Sequence, residues 1–281
     1  MATKKSAAST RKTTKKPASS AKKTTTKVTT VKASAAPAKT SAARVSTASR
    51  FRLSRTPLLA GSVAEFIGTF MLAAVVVITS GQPLFIMFAL LAILLVVGGV
   101  SGGHFNPALT IGALATRRIT LARAAAYIGA QVLGGLMALV VLNGFIGAAP
   151  EVSQQAQAFG QTAPSLFTPQ AIAKGKEWVV LAAELLGTVL FAFGVATAWR
   201  KGSETARAIT IAGSLYVGLF IASTAASYVG TSAVLNPAVA ASLQIFKQFE
   251  LWPVMVYAIT PLVGGVLGFA LSDLLKEESE N

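Results

Sequence analysis

The 281-residue chain has no cysteine and only one histidine. A disulfide framework and thiol chemistry are therefore excluded. One imidazole and ten carboxylates leave few groups for acid–base or metal chemistry. Accordingly, no catalytic residue, metal or cofactor is expected. Charge is also scarce. Charged residues make up 12% of the chain, roughly half the share usual in a soluble domain. Hydrophobic residues make up 53%. Several runs approach or exceed the roughly 18 nearly uncharged apolar residues that mark a membrane-spanning helix, which makes the chain a polytopic membrane protein.

The formal net charge of +15 is confined to one segment. Residues 1–56 hold 15 Lys and Arg with no Asp or Glu, and the remaining ten basic residues match the ten acidic ones. This Lys-, Ala-, Thr- and Ser-rich segment has too little apolar surface to offset its ordering entropy, so a disordered tail is expected. Its charge suits anionic lipid or nucleic acid. A membrane-embedded body is expected over 57–275, followed by a short acidic tail, 276–281.

Six apolar runs follow the basic segment, at about 58–80, 84–100, 124–148, 178–199, 208–229 and 251–271. Each is near bilayer-spanning length as a helix. Two shorter apolar stretches, 107–115 and 237–246, are too short to cross. The remaining Lys and Arg gather in "TRRITLAR" (116–123) and "RKGSETAR" (200–207). The positive-inside rule then places both termini in the cytoplasm and the connection 149–177 outside.

The chain is internally duplicated. "AEFIGTF" (64–70) recurs as "AELLGTV" (183–189). Asn106, Pro107 and Ala108 recur 130 positions later as Asn236, Pro237 and Ala238, and Tyr127 recurs as Tyr257 at the same offset. Repeat one is about 57–148 and repeat two about 177–275. Three spans plus one short segment per half force the halves to insert with opposite orientation, the inverted-repeat architecture.

The Asn-Pro-Ala triplets read as helix starts. Asn is a strong N-cap, and Pro suits the first helical position. Each would open a half-helix inside the membrane, where irregular backbone is tolerated only if it is buried or lines a cavity. Two half-helix N-termini meeting at the centre would present their positive dipole ends and the Asn106 and Asn236 amides to a permeating oxygen. The same ends would oppose cations and protons. Two span carboxylates, Glu65 and Glu184, are costly in lipid and are expected to face inward, bound to free N–H groups of the half-helix loops. Gly68, Gly129, Gly134, Gly187, Gly264 and Gly268 suit close helix crossings.

With "AEFIGTF", "SGGHFNPALT", "YIGAQVLGG", "AELLGT", "LNPAV" and "ITPLVGGVLG" in this order, the chain resembles the aquaporin, or major intrinsic protein, family over about 58–272. The resemblance implies an all-α fold of six tilted transmembrane helices and two half-helices. It also implies a homotetramer in the cell membrane with one pore per subunit. His104 matches a family position near the cytoplasmic end of the pore, where a packed or capping role is as well supported as a gating one. The family usually has Arg directly after the second Asn-Pro-Ala. Here that position is Val239. Counting back from the triplets assigns the other filter positions to Ile86, Thr224 and Ala233, with Ala222 as the alternative to Thr224 if two residues are inserted before the second triplet. An uncharged filter predicts a wider, less polar opening than the family's usual one.

The function so implied is a passive channel for water or small neutral solutes of the glycerol, urea or ammonia type, excluding protons and cations. The alternatives are an inverted-repeat secondary transporter and a membrane-anchored module that binds anionic lipid or nucleic acid through its tail. No feature supports an enzyme.

Overall fold

Proline and small hydroxylic caps set most helix starts. The computed structural model describes residues 57–275. The expected disordered segment 1–56 and acidic segment 276–281 lie outside the described residues. Pro57 begins α1 (Pro57–Ile78), and Pro83 begins α2 (Pro83–Ser101) after an extended Gln82. Proline is favoured there because its missing N–H has no helical acceptor to lose. Pro107 begins the half-helix α3 (Pro107–Ala115). Thr120 caps α4 (Leu121–Gly147), its hydroxyl accepting from the Arg123 N–H. A single helical turn, α5 (Gln154–Ala158), lies in the otherwise irregular connection that follows. The second half continues with α6 (Glu177–Ala198), α7 (Glu204–Ser227), the half-helix α8 (Pro237–Ser242) and α9 (Leu251–Leu274). Ser203 caps α7 by accepting from the Ala206 N–H at 3.3 Å. No strand occurs among the described residues.

Six of these helices are long and apolar enough to cross a membrane: α1, α2, α4, α6, α7 and α9. They coincide with the six apolar runs to within a few residues at each end. The second short segment is shorter than its apolar run. It was expected over 237–246, but α8 stops at Ser242 because Gln244 turns left-handed (φ 59°) and the Ile245 N–H reaches back to the Ala240 carbonyl. The first half-helix ends the same way, with Arg117 at φ 59° and the Arg118 N–H bonded to the Ala113 carbonyl at 2.8 Å. Such left-handed closures consume carbonyls that a helix end would leave bare.

The helices pack in matching sets: α1 against α4, and α6 against α7 and α9. Each half-helix lies against a long helix of the other half, α3 against α9 and α8 against α4. The outward faces carry exposed Leu95, Val96, Leu133, Val140, Phe220 and Leu267. An apolar exterior around a core containing Glu, Asn, Gln and Thr is the pattern expected where lipid is the solvent. At the end of α3, Arg118 bonds Asp273 of α9 at 2.6 Å and the Ala196 carbonyl of α6 at 3.2 Å. Its guanidinium lies 5.0 Å from the Phe269 ring centroid. One side chain thus ties the half-helix to both helices beneath it.

Candidate functional site

Each triplet performs the helix start that its residues predict. Asn106 and Asn236 are extended, and their Oδ1 atoms accept from the N–H groups of Ala108 (2.8 Å) and Ala238 (3.0 Å). The side-chain amides then reach across the repeat. Asn106 Nδ2 donates to the Leu235 carbonyl at 2.8 Å, and Asn236 Nδ2 donates to the Phe105 carbonyl at 2.9 Å. One amide hydrogen of each Asn is spent on the opposite loop. Both asparagines also line one cavity.

These carbonyls point the right way because the residue before each Asn is left-handed, Phe105 at φ 49° and Leu235 at φ 58°. For a bulky side chain that conformation costs on the order of 1–3 kcal/mol and persists only where its surroundings enforce it. The two span carboxylates supply the enforcement. Glu65 accepts from the His104 N–H at 3.0 Å and the Phe105 N–H at 2.6 Å. Glu184 accepts from the N–H groups of Val234 at 2.5 Å and Leu235 at 2.9 Å. Both carboxylates are fully buried, and each offsets its own desolvation by gripping a pair of amides.

Glycine makes room for this arrangement. A Cβ on Gly68 would strike the Phe105 ring, and one on Gly187 would stand 2.8 Å from Leu235 Cδ2. A Cβ on Gly135 would lie 2.5 Å from the Ala238 carbonyl oxygen, and one on Gly265 would collide with that of Ala108. The alanine of each triplet therefore docks, backbone first, on a glycine in the other half. Gly134, Gly264 and Gly268 also face close backbone or side-chain neighbours, as expected of crossing points. Gly129 does not: nothing lies within 4 Å of a Cβ there, so it serves no crossing within the chain.

The halves differ in how far the polar network extends. In the first, Gln131 Nε2 donates to Glu65 at 2.7 Å and to the Thr110 hydroxyl at 2.9 Å. Thr110 donates to the Asn106 carbonyl at 3.1 Å and pairs with His104 Nδ1 at 3.1 Å. The positions corresponding to Gln131, Thr110 and His104 in the second half are Pro261, Ala240 and Val234, which extend no such network. His104 is packed, its ring centroid 4.8 Å from that of Trp199 and 5.4 Å from that of Tyr127.

A cavity of about 30 Å³ opens onto both asparagines. A water needs roughly 10–15 Å³ of such space. Its walls include Ile86, His104, Asn106, Ala233, Asn236 and Val239, which the sequence had assigned to this region. Two expectations fail. Thr224 does not line it: the residue is exposed, and its hydroxyl is turned back onto the Phe220 carbonyl. The buried stripe of α7 runs through Ile211, Leu215, Gly218, Leu219 and Ala222, and at 100° per residue Thr224 falls on another face. The alternative, Ala222, presses on Gly187 of α6. The α7 residues at the cavity are Leu215 and Leu219. The opening is also not wide. Leu219, Ile86 and Phe191, with Leu72, Val76 and Leu90, line a cavity of only about 30 Å³ together with Val239. Leu215 and Leu219 were detectable as an i, i+4 apolar pair, but spacing from the triplet gave no reason to prefer them.

Comparison with known proteins gives the same outline. Residues 52–175 and 171–280 match the model of the family described as Major intrinsic protein. The chain is 36% identical over 219 residues to glycerol uptake facilitator protein-like 6 of Lactiplantibacillus plantarum, covering 73% of this chain and 93% of that one. It is 30% identical over 207 residues to aquaporin Z of Photorhabdus laumondii, covering 71% and 84%. The X-ray structure of the aquaglyceroporin from Plasmodium falciparum superposes with a TM-score of 0.52 at 19% identity, covering 76% of this chain and 93% of that one. That likeness concerns the fold alone.

Proposed function

The chain belongs to the major intrinsic protein family of multi-pass membrane channels, which are not enzymes, and from this we propose that it passes water or small neutral solutes while excluding protons and cations. The observation that carries the reading is the reciprocal pair of bonds from Asn106 to Leu235 and from Asn236 to Phe105. It leaves one amide hydrogen on each Asn to bind a passing oxygen or nitrogen. Two half-helix N-termini sit behind those amides, and their partial positive charge opposes a cation at the same point. A relative named as a glycerol uptake facilitator and another named as an aquaporin are compatible with either solute.

A secondary transporter is the less favoured reading. Glu65 and Glu184 hold the loops that border the cavity, and both are committed to backbone amides. We further propose a homotetramer with both termini in the cytoplasm. The basic residues 1–56 are proposed to lie against anionic lipid at that surface, with nucleic acid as the alternative partner; Lys and Arg near such a surface contribute about 1 kcal/mol each.

The test is stopped-flow permeability of proteoliposomes to water, glycerol, urea and ammonia, over a range of solute concentrations and with and without a proton gradient. Flux that rises linearly with concentration and ignores the gradient supports the channel. Saturating, gradient-dependent flux would identify a transporter.

A further inference from the structure

The cavity wall is mostly hydrocarbon. Beyond the two asparagines and His104, its lining side chains are hydrocarbon from five elements, with Phe191 from α6. α1 contributes Val76, α2 Ile86, α7 Leu219, and α8 with the loop before it Val239 and Ala233. None of these five can donate or accept a hydrogen bond through its side chain. Four main-chain carbonyls in and beside the half-helix loops are already engaged. Tyr127 and Tyr257 donate to the Ser101 and Ser232 carbonyls at 3.1 and 2.9 Å. The Phe105 and Leu235 carbonyls are held by the asparagines. A molecule passing these side chains sheds hydration and receives no hydrogen bond from them in return.

We infer that the ring formed by Val76, Ile86, Leu219 and Val239 selects by the cost of dehydration, and that the permeant it favours is a water-sized, weakly hydrated neutral molecule of the ammonia type rather than water or a polyol. The inference rests on the channel reading. Stranding a hydrogen-bonding group in an apolar site is costly, and narrow apolar constrictions close by dewetting. Water entering the ring gives up several strong hydrogen bonds, and glycerol gives up those of three hydroxyls. Ammonia has one lone pair and makes fewer and weaker bonds, so it loses least. A space of about 30 Å³ has room for a water-sized molecule, ammonia as well as water.

Isosteric substitution separates wetting from width. Val239→Thr replaces a methyl by a hydroxyl with little change of volume, and Ile86→Thr does the same from the facing wall with a small loss. Leu219→Ala widens the ring without making it polar. Each variant and the wild type are purified, matched to the wild-type gel-filtration profile and reconstituted at equal density. Water flux is read by osmotic shrinkage, ammonia flux by the rise in internal pH after an ammonium jump, and glycerol flux by re-swelling.

The ammonia-to-water flux ratio should fall on Val239→Thr, or on Ile86→Thr should the first not fold, because water flux rises about five-fold for one hydrogen bond gained while ammonia flux changes less than about two-fold. Leu219→Ala should raise both fluxes and admit glycerol. If the polar variants leave water flux unchanged while Leu219→Ala raises every flux, width sets the barrier and the inference is overturned, although the channel reading stands. If neither wild type nor any variant exceeds protein-free vesicles for any of the three probes, the channel reading itself fails, and the inference with it.

Discussion

The side-chain amide of Asn106 donates to the main-chain carbonyl of Leu235 at 2.8 Å, joining positions 129 residues apart in sequence. The bond does two things. It fixes the orientation of an Asn that lines the cavity, and it satisfies a carbonyl that the left-handed Leu235 turns inward. Asn106→Ala removes this donor and also the cap on the Ala108 N–H. Losing a cap costs about 1 kcal/mol, and stranding a buried carbonyl costs about 1–3 kcal/mol. The variant should be less stable by about 2–4 kcal/mol. Thermal unfolding in detergent, followed by circular dichroism, checks this. A melting temperature equal to the wild type would mean that the cross-repeat bond carries no stability.

Gly265 is predicted to be intolerant of the smallest possible change. A Cβ there collides with the Ala108 carbonyl oxygen, whereas one on Gly129 meets nothing within 4 Å. Gly265→Ala should therefore destabilise the fold by about 1–3 kcal/mol through overpacking. Gly129→Ala should be neutral or slightly stabilising, since Ala is the better helix former by about 1 kcal/mol. The readout is the fraction of each variant recovered as monodisperse protein after heating to a fixed temperature. Equal recovery of the two variants would contradict the interlocking of α9 with α3.

Much of this architecture was legible in the sequence. The six spans are long and nearly uncharged, so lipid solvation dictates them. The half-helix starts follow from Asn and Pro, whose conformational preferences are local. That Glu65 and Glu184 would bind N–H groups of the half-helix loops followed from the cost of a carboxylate in a span; which amides they take, those of 104 and 105 and of 234 and 235, did not. What lay out of reach was set by rotation about a helix axis. Thr224 was assigned by counting back from Asn236, but "GTSAVLNPA" is a loop, and a loop transmits no helical phase to α7. The left-handed cap at Gln244 was also hidden, because the apolar residues beyond it look like more helix. The Gly135–Ala238 and Gly265–Ala108 contacts depend on the angle at which half-helix meets long helix, which no local pattern specifies. Apolar composition at the filter was readable from Val239 and Ile86. Its narrowness was not, since that needed Leu215 and Leu219.

The revised phase of α7 has its own consequence. Thr224 lies off the cavity and Leu219 lies on it. Thr224→Val should leave every solute flux within about two-fold of wild type. Leu219→Phe should lower solute flux about ten-fold, an effect of about 1.4 kcal/mol, because the added ring has only the cavity to fill. Proteoliposome flux measurements on both variants decide the matter. The opposite pattern, with Thr224→Val altering selectivity and Leu219→Phe silent, would restore the assignment made by counting from the triplet.

The most direct test of the central claim is the cation leak of Asn236→Asp, measured beside its solute flux on the same proteoliposomes. Asp is as good an N-cap as Asn, so α8 should still form. The change places a negative charge where two half-helix N-termini now present positive ends, and it removes the donor to the Phe105 carbonyl. Cation exclusion by those ends should weaken. The account predicts a cation leak well above wild type, with solute flux retained or reduced. A folded Asn236→Asp protein with wild-type cation leak and wild-type solute flux would show that the asparagine pair does not lie on the permeation path.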